Sequence, residues 1–404
     1  MLPLKKNKIM FTRLIEKIFL KIIKKKIVWN YNKYCSIKIG HAALFFKTDS
    51  FFLGKTASQY HHVNFWEALE ISKILNRLGY WVDVFDRTVD FNTQKIEDKY
   101  DIFIGISAGM SGKSFPQVAS KLRKALKVAF VSSQDPQIYN KAVIKRYENF
   151  KLRHKDVNLP MVGLKINIDM NEVVGNADAI FCEGENITIS QYQKYNKPVY
   201  QIFVPSSPKI IFNLPECYNR KNNNFLYFGS NRNILKGLDI LIEIFIDLPE
   251  LELYICTPAN EPDFNKVYAE KIKKTNNIHW IGFIEVGSER FEELTRQCTF
   301  VTLLSCSDSM ATSVTSCMRK GMIPVITPET DINVDDFGFL IEDLELESVK
   351  KKYILISKIS DEDRILRSVK SYLASKKYTQ DNFSLSFENS LVNLLLDKNL
   401  LNKK

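Results

Sequence analysis

The chain has 404 residues, is 45% hydrophobic and 25% charged, and contains only fifteen glycines. Those values describe a globular protein with room for two or three domains, and they exclude disorder, collagen-like repeats and small disulfide scaffolds. The net charge of +11 is concentrated at one end: residues 1–30 hold nine basic residues and one acid, which leaves the rest of the chain nearly neutral.

In that basic stretch, Phe11, Leu14, Ile15, Ile18, Phe19, Ile22 and Ile23 share one side of a helical wheel. Arg13, Glu16, Lys17, Lys21 and Lys24 share the other, with Leu20 as the misfit. A basic amphipathic helix with Trp29 just beyond it predicts attachment of residues 5–29 to an anionic membrane surface. The competing expectation is a helix packed on the body with its lysines in water. No apolar run reaches the ~18 residues of a membrane span, and charges at 13, 16, 17 and 21 interrupt any signal-peptide core. Residues 1–40 are therefore read as a basic amphipathic segment that holds the protein at the cytoplasmic face of the cell membrane. The near-neutral body, without a basic-aromatic patch, gives no reason to expect a nucleic-acid partner.

From residue 41 onward, short apolar runs alternate with helical patterns, as in βαβ units around a parallel sheet. The predicted strands of the first half are 42–47, 81–85, 102–106, 127–132, 178–182 and 198–204, and the clearest helix is 65–78. Prolines at 205, 208 and 215, with Asn222, Asn223 and Asn224, mark 205–224 as a linker. Alternation then restarts with strands at 225–229, 251–256, 278–281, 299–304 and 323–326, separated by helices near 234–247, 262–273, 288–297 and 311–320. Residues 346–404 read as helices. The expected fold is α/β: one Rossmann-like domain over 41–204, a second over 225–345, and a cleft between them. The seven cysteines are scattered, with no C-x-x-C pair, and fit reduced thiols.

G-x-G-x-x-G, P-loop and H-x-x-x-H patterns are missing from the sequence, so nicotinamide chemistry and nucleotide hydrolysis have no support. The informative segments lie in the second half. After the strand FLYFGS, Lys236 stands where a helix begins, and a cation beside helix-start amides suits a diphosphate. After the strand TFVTLL comes a loop with Asp308, an acceptor for sugar hydroxyls, followed by Ser309, Met310, Ala311, Thr312 and Ser313, whose amides and hydroxyls can hold phosphate. The bland alternatives are a solvated Lys236 and helix-capping roles for Asp308, Ser309, Thr312 and Ser313.

Two segments carry a resemblance. Phe228-Gly229-Ser230…Lys236-Gly237-Leu238-Asp239 and Ser305-Cys306-Ser307-Asp308…Met318-Arg319-Lys320-Gly321-Met322-Ile323-Pro324-Val325-Ile326 stand in the right order on the right strands. Over residues 225–345 the chain resembles the donor-binding domain of retaining GT-B glycosyltransferases, and HVNFWEA (62–68) with LGYWVDVFD (78–86) resembles bacterial polysaccharide-cluster members of that group. The resemblance implies a GT-B fold and transfer of a sugar from a nucleotide-diphosphate donor to a polysaccharide or lipid-linked acceptor, with retention. It assigns Lys236 and Asp308 to catalysis. Donor binding goes to Gly229, Ser230, Arg232, Lys236, Ser309, Met310, Ala311, Thr312, Ser313 and Ser316. No cofactor and no metal are expected, because no D-x-D stands at a strand end.

The departures are specific. The family's E-x(7)-E aligns with Asp308 and Ser316, so the first acid is shortened and the second is replaced by a hydroxyl. The usual arginine aligns with Asn231, and Arg232 is one residue displaced; Ser309 stands in place of a glycine. On the acceptor side, His61, His62 and Asp135 are the candidates, each with a plain surface or loop role as its alternative. A catalytically inactive scaffold for membrane or glycan, and a sugar-nucleotide epimerase, are the rival functions.

Overall fold

A computed structural model describes residues 27–53, 63–87, 96–106, 114–165, 168–206, 210, 212–213, 216–217 and 219–400. The basic helix over residues 11–24 and the histidines at 61 and 62 lie outside the described residues. The described residues gather into two compact units, one of those from 27 to 130 with 168–181 and 387–400, the other of those from 131 to 165 with 182–386.

The strands of the first sheet are β1 (Ile27–Tyr31), β2 (Gly40–Phe46), β3 (Tyr80–Asp86), β4 (Ile102–Ile106), β5 (Leu126–Val131), β6 (Ala179–Glu183) and β7 (Val199–Ile202), in the order β1-β3-β2-β4-β5-β6-β7. β2 is parallel to β3 and β4, and β4 to β5. Strands buried on both faces lack polar alternation, and Ala42 to Phe46 of β2 and all of β4 are buried accordingly. The helices through this part of the chain are α1 (Asp49–Leu53), α2 (Val63–Arg77), α3 (Ser114–Ala119), α4 (Pro136–Arg153), α5 (Met170–Gly175) and α6 (Asn186–Gln193). On α2, Ala68, Ile71, Ile74 and Leu75 form the buried stripe. Gly79, at φ +89°, turns the chain from α2 into β3.

Strand β1 is a finding against expectation. Residues 27–31 fall within the segment read as basic and amphipathic, but they pair antiparallel with β3 as an edge strand. Asp83, buried in β3, accepts the Asn30 N–H (2.6 Å) and the Tyr100 hydroxyl (2.7 Å), and His41 Nε2 lies 3.3 Å away. Trp29 meets the Phe85 ring edge-on at 5.6 Å while half of its own surface stays exposed.

The second sheet is built from β8 (Lys221–Phe228), β9 (Glu252–Cys256), β10 (Ile278–Trp280), β11 (Cys298–Leu303), β12 (Ile323–Ile326) and β13 (Phe339–Leu340). Its order is β10-β9-β8-β11-β12-β13 and every pairing is parallel. Numbered from β8, that is the doubly wound order 3-2-1-4-5-6, whose chain reverses direction of winding between the strands β8 and β11. Its helices are α7 (Leu238–Ile246), α8 (Pro262–Lys273), α9 (Glu289–Gln297), α10 (Thr312–Met318) and α11 (Leu346–Ser357); α12 (Asp361–Ser375) and α13 (Gln380–Asp397) follow. The strand β8 begins four residues before the run expected at 225, because Asn222, Asn223 and Asn224 join it despite their turn propensity. Their side-chain N–H groups donate to distant carbonyls: Asn222 to Ile359 O, Asn223 to Glu250 O and Asn224 to Gln297 O.

In the core of this unit, Phe225 stacks on Phe300 at 4.7 Å and meets Tyr353 at 5.0 Å. Each such side chain contributes about 1.5–3 kcal/mol by burial. Tyr139, Val143, Tyr147 and Phe150 place one face of α4 in the same core. Six of the seven cysteines are buried, and all are free thiols; burial pushes Cys306 up to about 11 and Cys256 up to about 12. Among the described residues, no helix is long and apolar enough to cross a membrane.

Candidate functional site

In open α/β sheets, ligands bind beyond the carboxyl ends of the strands where the winding reverses. In the second sheet those ends are Phe228 of β8 and Leu303 of β11. The loops that follow them carry Lys236 and Asp308, and the structure brings the two together: Lys236 Nζ donates to Asp308 Oδ2 at 2.7 Å.

Four hydrogen bonds set that geometry. Cys306 N–H donates to Leu235 O (2.9 Å), tying the two loops side by side. Asp308 N–H donates to Glu329 O (2.9 Å). Ser307 Oγ donates to Gln134 Oε1 (2.7 Å), and Gln134 Nε2 donates to the same Glu329 carbonyl (2.9 Å). Gly237 is essential to the approach. It adopts φ +72°, and a Cβ there would stand 2.5 Å from Leu304 O. Beneath it, Arg146 Nη2 donates to Leu304 O at 2.8 Å, while Nη1 is buried without a hydrogen-bond partner.

The first loop differs from expectation in its amides. α7 begins at Leu238, and the N–H groups of Lys236, Gly237 and Leu238 already donate to the carbonyls of Arg232, Ile234 and Asn233. These three amides are therefore not open to an anion. Gly229 N–H donates to Cys256 O (3.0 Å), and the Ser230 carbonyl accepts from Thr257 Oγ1 (2.9 Å). Arg232 sits in the left-handed region at φ +73°. Its N–H donates to Glu261 Oε1, which also accepts from the Asn233 N–H at 3.2 Å. Its guanidinium donates to the Tyr139 hydroxyl at 3.0 Å.

Around the second loop, Asp308 Oδ1 accepts the Ser309 N–H at 3.2 Å. Ser309 Oγ donates to Glu183 O and accepts from Thr188 Oγ1, so it caps no helix. The N-cap of α10 is Ala311, which offers no side-chain oxygen to the first turn. Met310 is buried at φ +42°, Thr312 and Ser313 are partly exposed, and Ser316 is buried within α10.

Asp135 belongs to a separate arrangement. It is buried and caps α4 by accepting the Gln137 N–H (3.0 Å), and it also takes Tyr195 Oη (2.5 Å) and Lys194 Nζ (3.1 Å). A helix cap accounts for that residue. Among the described residues, no three His, Cys, Asp or Glu side chains gather into a metal-binding group.

Sequence reading missed Gln134, Tyr139, Arg146, Lys165 and Glu261, all brought in by tertiary contacts. Only Glu261 carried a local signal, an acid directly before Pro262 at a helix start, and that signal suggests a cap. In the structure its carboxylate faces the Arg232 loop instead, and α8 receives no side-chain cap from it.

With this geometry in view, solved structures give the fold. Anabaena HepE, determined in complex with UDP and glucose, superposes with a TM-score of 0.56 at 12% identity, covering 87% of this chain and 99% of that one. The chain has the GT-B fold. Sucrose-phosphate synthase from Thermosynechococcus elongatus superposes with a TM-score of 0.53, also at 12% identity, over 89% of this chain and all of its own. No protein-family model and no curated protein sequence matches the chain. The GT-B likeness is thus one of architecture, and the doubly wound order of the second sheet is part of it.

Proposed function

We propose that this protein is a glycosyltransferase that moves a sugar from a nucleotide-diphosphate donor, with the donor pocket at the ends of β8 and β11. The observation that carries this reading is the Lys236–Asp308 pair at the reversal point of the second sheet. An ammonium has three N–H donors. One is directed at Asp308, and two are left for the oxygens of a departing diphosphate. Stabilising that developing charge is the main catalytic work, and Lys236 does most of it, with Arg232 as the neighbouring cation.

Asp308 serves as the acceptor for donor-sugar hydroxyls and orients Lys236. Ser316 can make a single hydrogen bond where the family resemblance implies a carboxylate, so nucleotide recognition relies less on that position. The resemblance further supports retention of configuration, a polysaccharide or lipid-linked acceptor, and chemistry without a metal or other cofactor. HepE is seen with UDP and glucose, so UDP-glucose is the first donor to test. The basic N-terminal segment supports peripheral attachment to the inner face of the cell membrane.

The decisive experiment is a thermal-shift and calorimetric screen of the purified chain against UDP-, GDP-, ADP- and CMP-sugars, followed by product analysis with lipid-linked and glycan acceptors. A ligand of the native state raises the melting temperature. Saturable binding of one nucleotide sugar and acceptor-dependent release of nucleotide are expected. Absence of binding by all four classes overturns the reading and leaves the scaffold alternative.

A further inference from the structure

The segment 159–165 lies along α4. Val162 N–H donates to the Tyr147 hydroxyl at 3.3 Å. Asn140 holds the Lys165 backbone from both sides, accepting its N–H at 2.8 Å and donating to its carbonyl at 3.2 Å. Gly163, at φ +95°, lets this segment press on Arg232: a Cβ there would be 3.2 Å from Arg232 Cδ and 3.4 Å from the Tyr139 hydroxyl.

The consequence is a pair of cations on one tyrosine. Lys165 Nζ lies 3.9 Å from the centroid of the Tyr139 ring, and the hydroxyl of that ring accepts from Arg232 at 3.0 Å. The Lys165 ammonium is shut off from solvent and has no hydrogen-bond partner. A ring face attracts an ammonium, but it does not replace the hydrogen bonds that three buried donors lose. Burial first, and then repulsion from Arg232, push Lys165 down to about 7, with Asp308 and Asp135 acting weakly the other way. Both of those carboxylates are already engaged, by Lys236 and by Lys194.

We propose that Lys165 and Arg232 form a phosphate-binding pair that takes the diphosphate of the nucleotide-sugar donor, with Lys165 contributed by a segment outside the motif-bearing region 225–345. This inference rests on the glycosyltransferase reading above. Lys165 as a residue is only partly buried, so rotation of its long stem off the tyrosine ring presents the ammonium to a phosphate oxygen beside Arg232. The anion supplies the missing acceptor and separates two cations that otherwise repel. Because a diphosphate favours the charged lysine, binding draws a proton from solution at pH values above 7. The charged or titratable groups that face Lys165 are Arg232, Tyr139, Asp308 and Asp135.

The test is calorimetry on the full chain at pH 8, with UDP, uridine and pyrophosphate in two buffers of different ionisation heat, using the wild type, Lys165→Met and Lys165→Arg. Expected for Lys165→Met is a loss of affinity on the order of tenfold to a hundredfold for UDP and pyrophosphate, with uridine unchanged. Lys165→Arg should keep most of the affinity but abolish the proton uptake, since arginine is charged throughout. The ligand-free Lys165→Met protein should also melt higher than the wild type, because its buried, unpartnered donors are gone. A folded Lys165→Met protein that binds UDP as the wild type does overturns this inference alone. If the wild type binds none of the UDP-, GDP-, ADP- and CMP-sugars, the glycosyltransferase reading falls first and this one with it.

Discussion

Lys236 and Asp308, seventy-two positions apart in the chain, form a 2.7 Å ion pair in which both side chains are largely buried. The pair spans the two loops where the winding of the second sheet reverses, so each side chain fixes the position of the other there.

Removing either partner should separate binding from chemistry. Lys236→Ala deletes a charge-assisted contact worth about 1.5–3 kcal/mol, so turnover should fall by roughly tenfold to a hundredfold. Asp308→Asn keeps the shape but weakens the acceptor, and should raise KM for the intact donor more than it weakens free nucleoside diphosphate. Ser316→Ala should change either constant by less than about fivefold, since one neutral hydrogen bond is worth about 1 kcal/mol or less. Steady-state kinetics on the three variants, with product inhibition by the nucleotide, would decide this. A fully active Lys236→Ala enzyme places the diphosphate elsewhere.

Gly237→Ala tests the approach of the two loops. A left-handed φ costs a non-glycine residue roughly 1–2 kcal/mol, and the added Cβ would stand 2.5 Å from Leu304 O. The loops must part, so donor affinity should fall together with thermal stability. A variant that melts and binds like the wild type would show that the Cys306–Leu235 hydrogen bond is not what holds them.

Asp83 anchors the edge strand. Burial alone would raise its carboxyl, but His41, the Asn30 N–H and Tyr100 outweigh that and hold it below the ordinary carboxylate range. A folded-state pKa below the unfolded one gives stability that is complete above about pH 5 and is lost as pH falls through the lowered value. Asp83→Ala should cost about 3 kcal/mol by leaving its buried donors unpaired. Acid unfolding below pH 4 should then become shallower in the variant. An unchanged acid limb would assign the acid sensitivity to other carboxylates.

Strand β1 decides where the basic segment can be cut. Removal of residues 1–26 should release the protein from anionic vesicles and leave its melting temperature within a few degrees of the full chain. Removal of 1–31 should lower that temperature clearly, because it strips the β1–β3 ladder. High salt should weaken vesicle binding of the full chain as well. Continued vesicle binding after the shorter cut would place the attachment in the body.

Transferase activity should persist in EDTA, because the proposed chemistry meets the diphosphate with Lys236, Arg232 and Lys165. Loss on chelation that magnesium or manganese restores would show that a divalent ion carries part of that charge.

Most of the α/β order is legible in the sequence, since apolar runs of strand length and helical stripes are local patterns. The strands at 102–106 and 323–326 and the helix at 262–273 stand where composition places them. The motif positions of Lys236 and Asp308 are legible for the same reason, being set by the ends of β8 and β11. Strand β1 is not, because an edge strand takes its stability from a partner such as Asp83, fifty-three residues beyond Asn30. Nor are the pairing of Lys236 with Asp308, the capping role of Asp135, or the seclusion of Lys165 on Tyr139. Each depends on which residues distant in sequence arrive in one place, and on what remains there to satisfy a buried charge. Only the folded chain determines that, because the cost of an unpaired donor arises when packing removes the water around it.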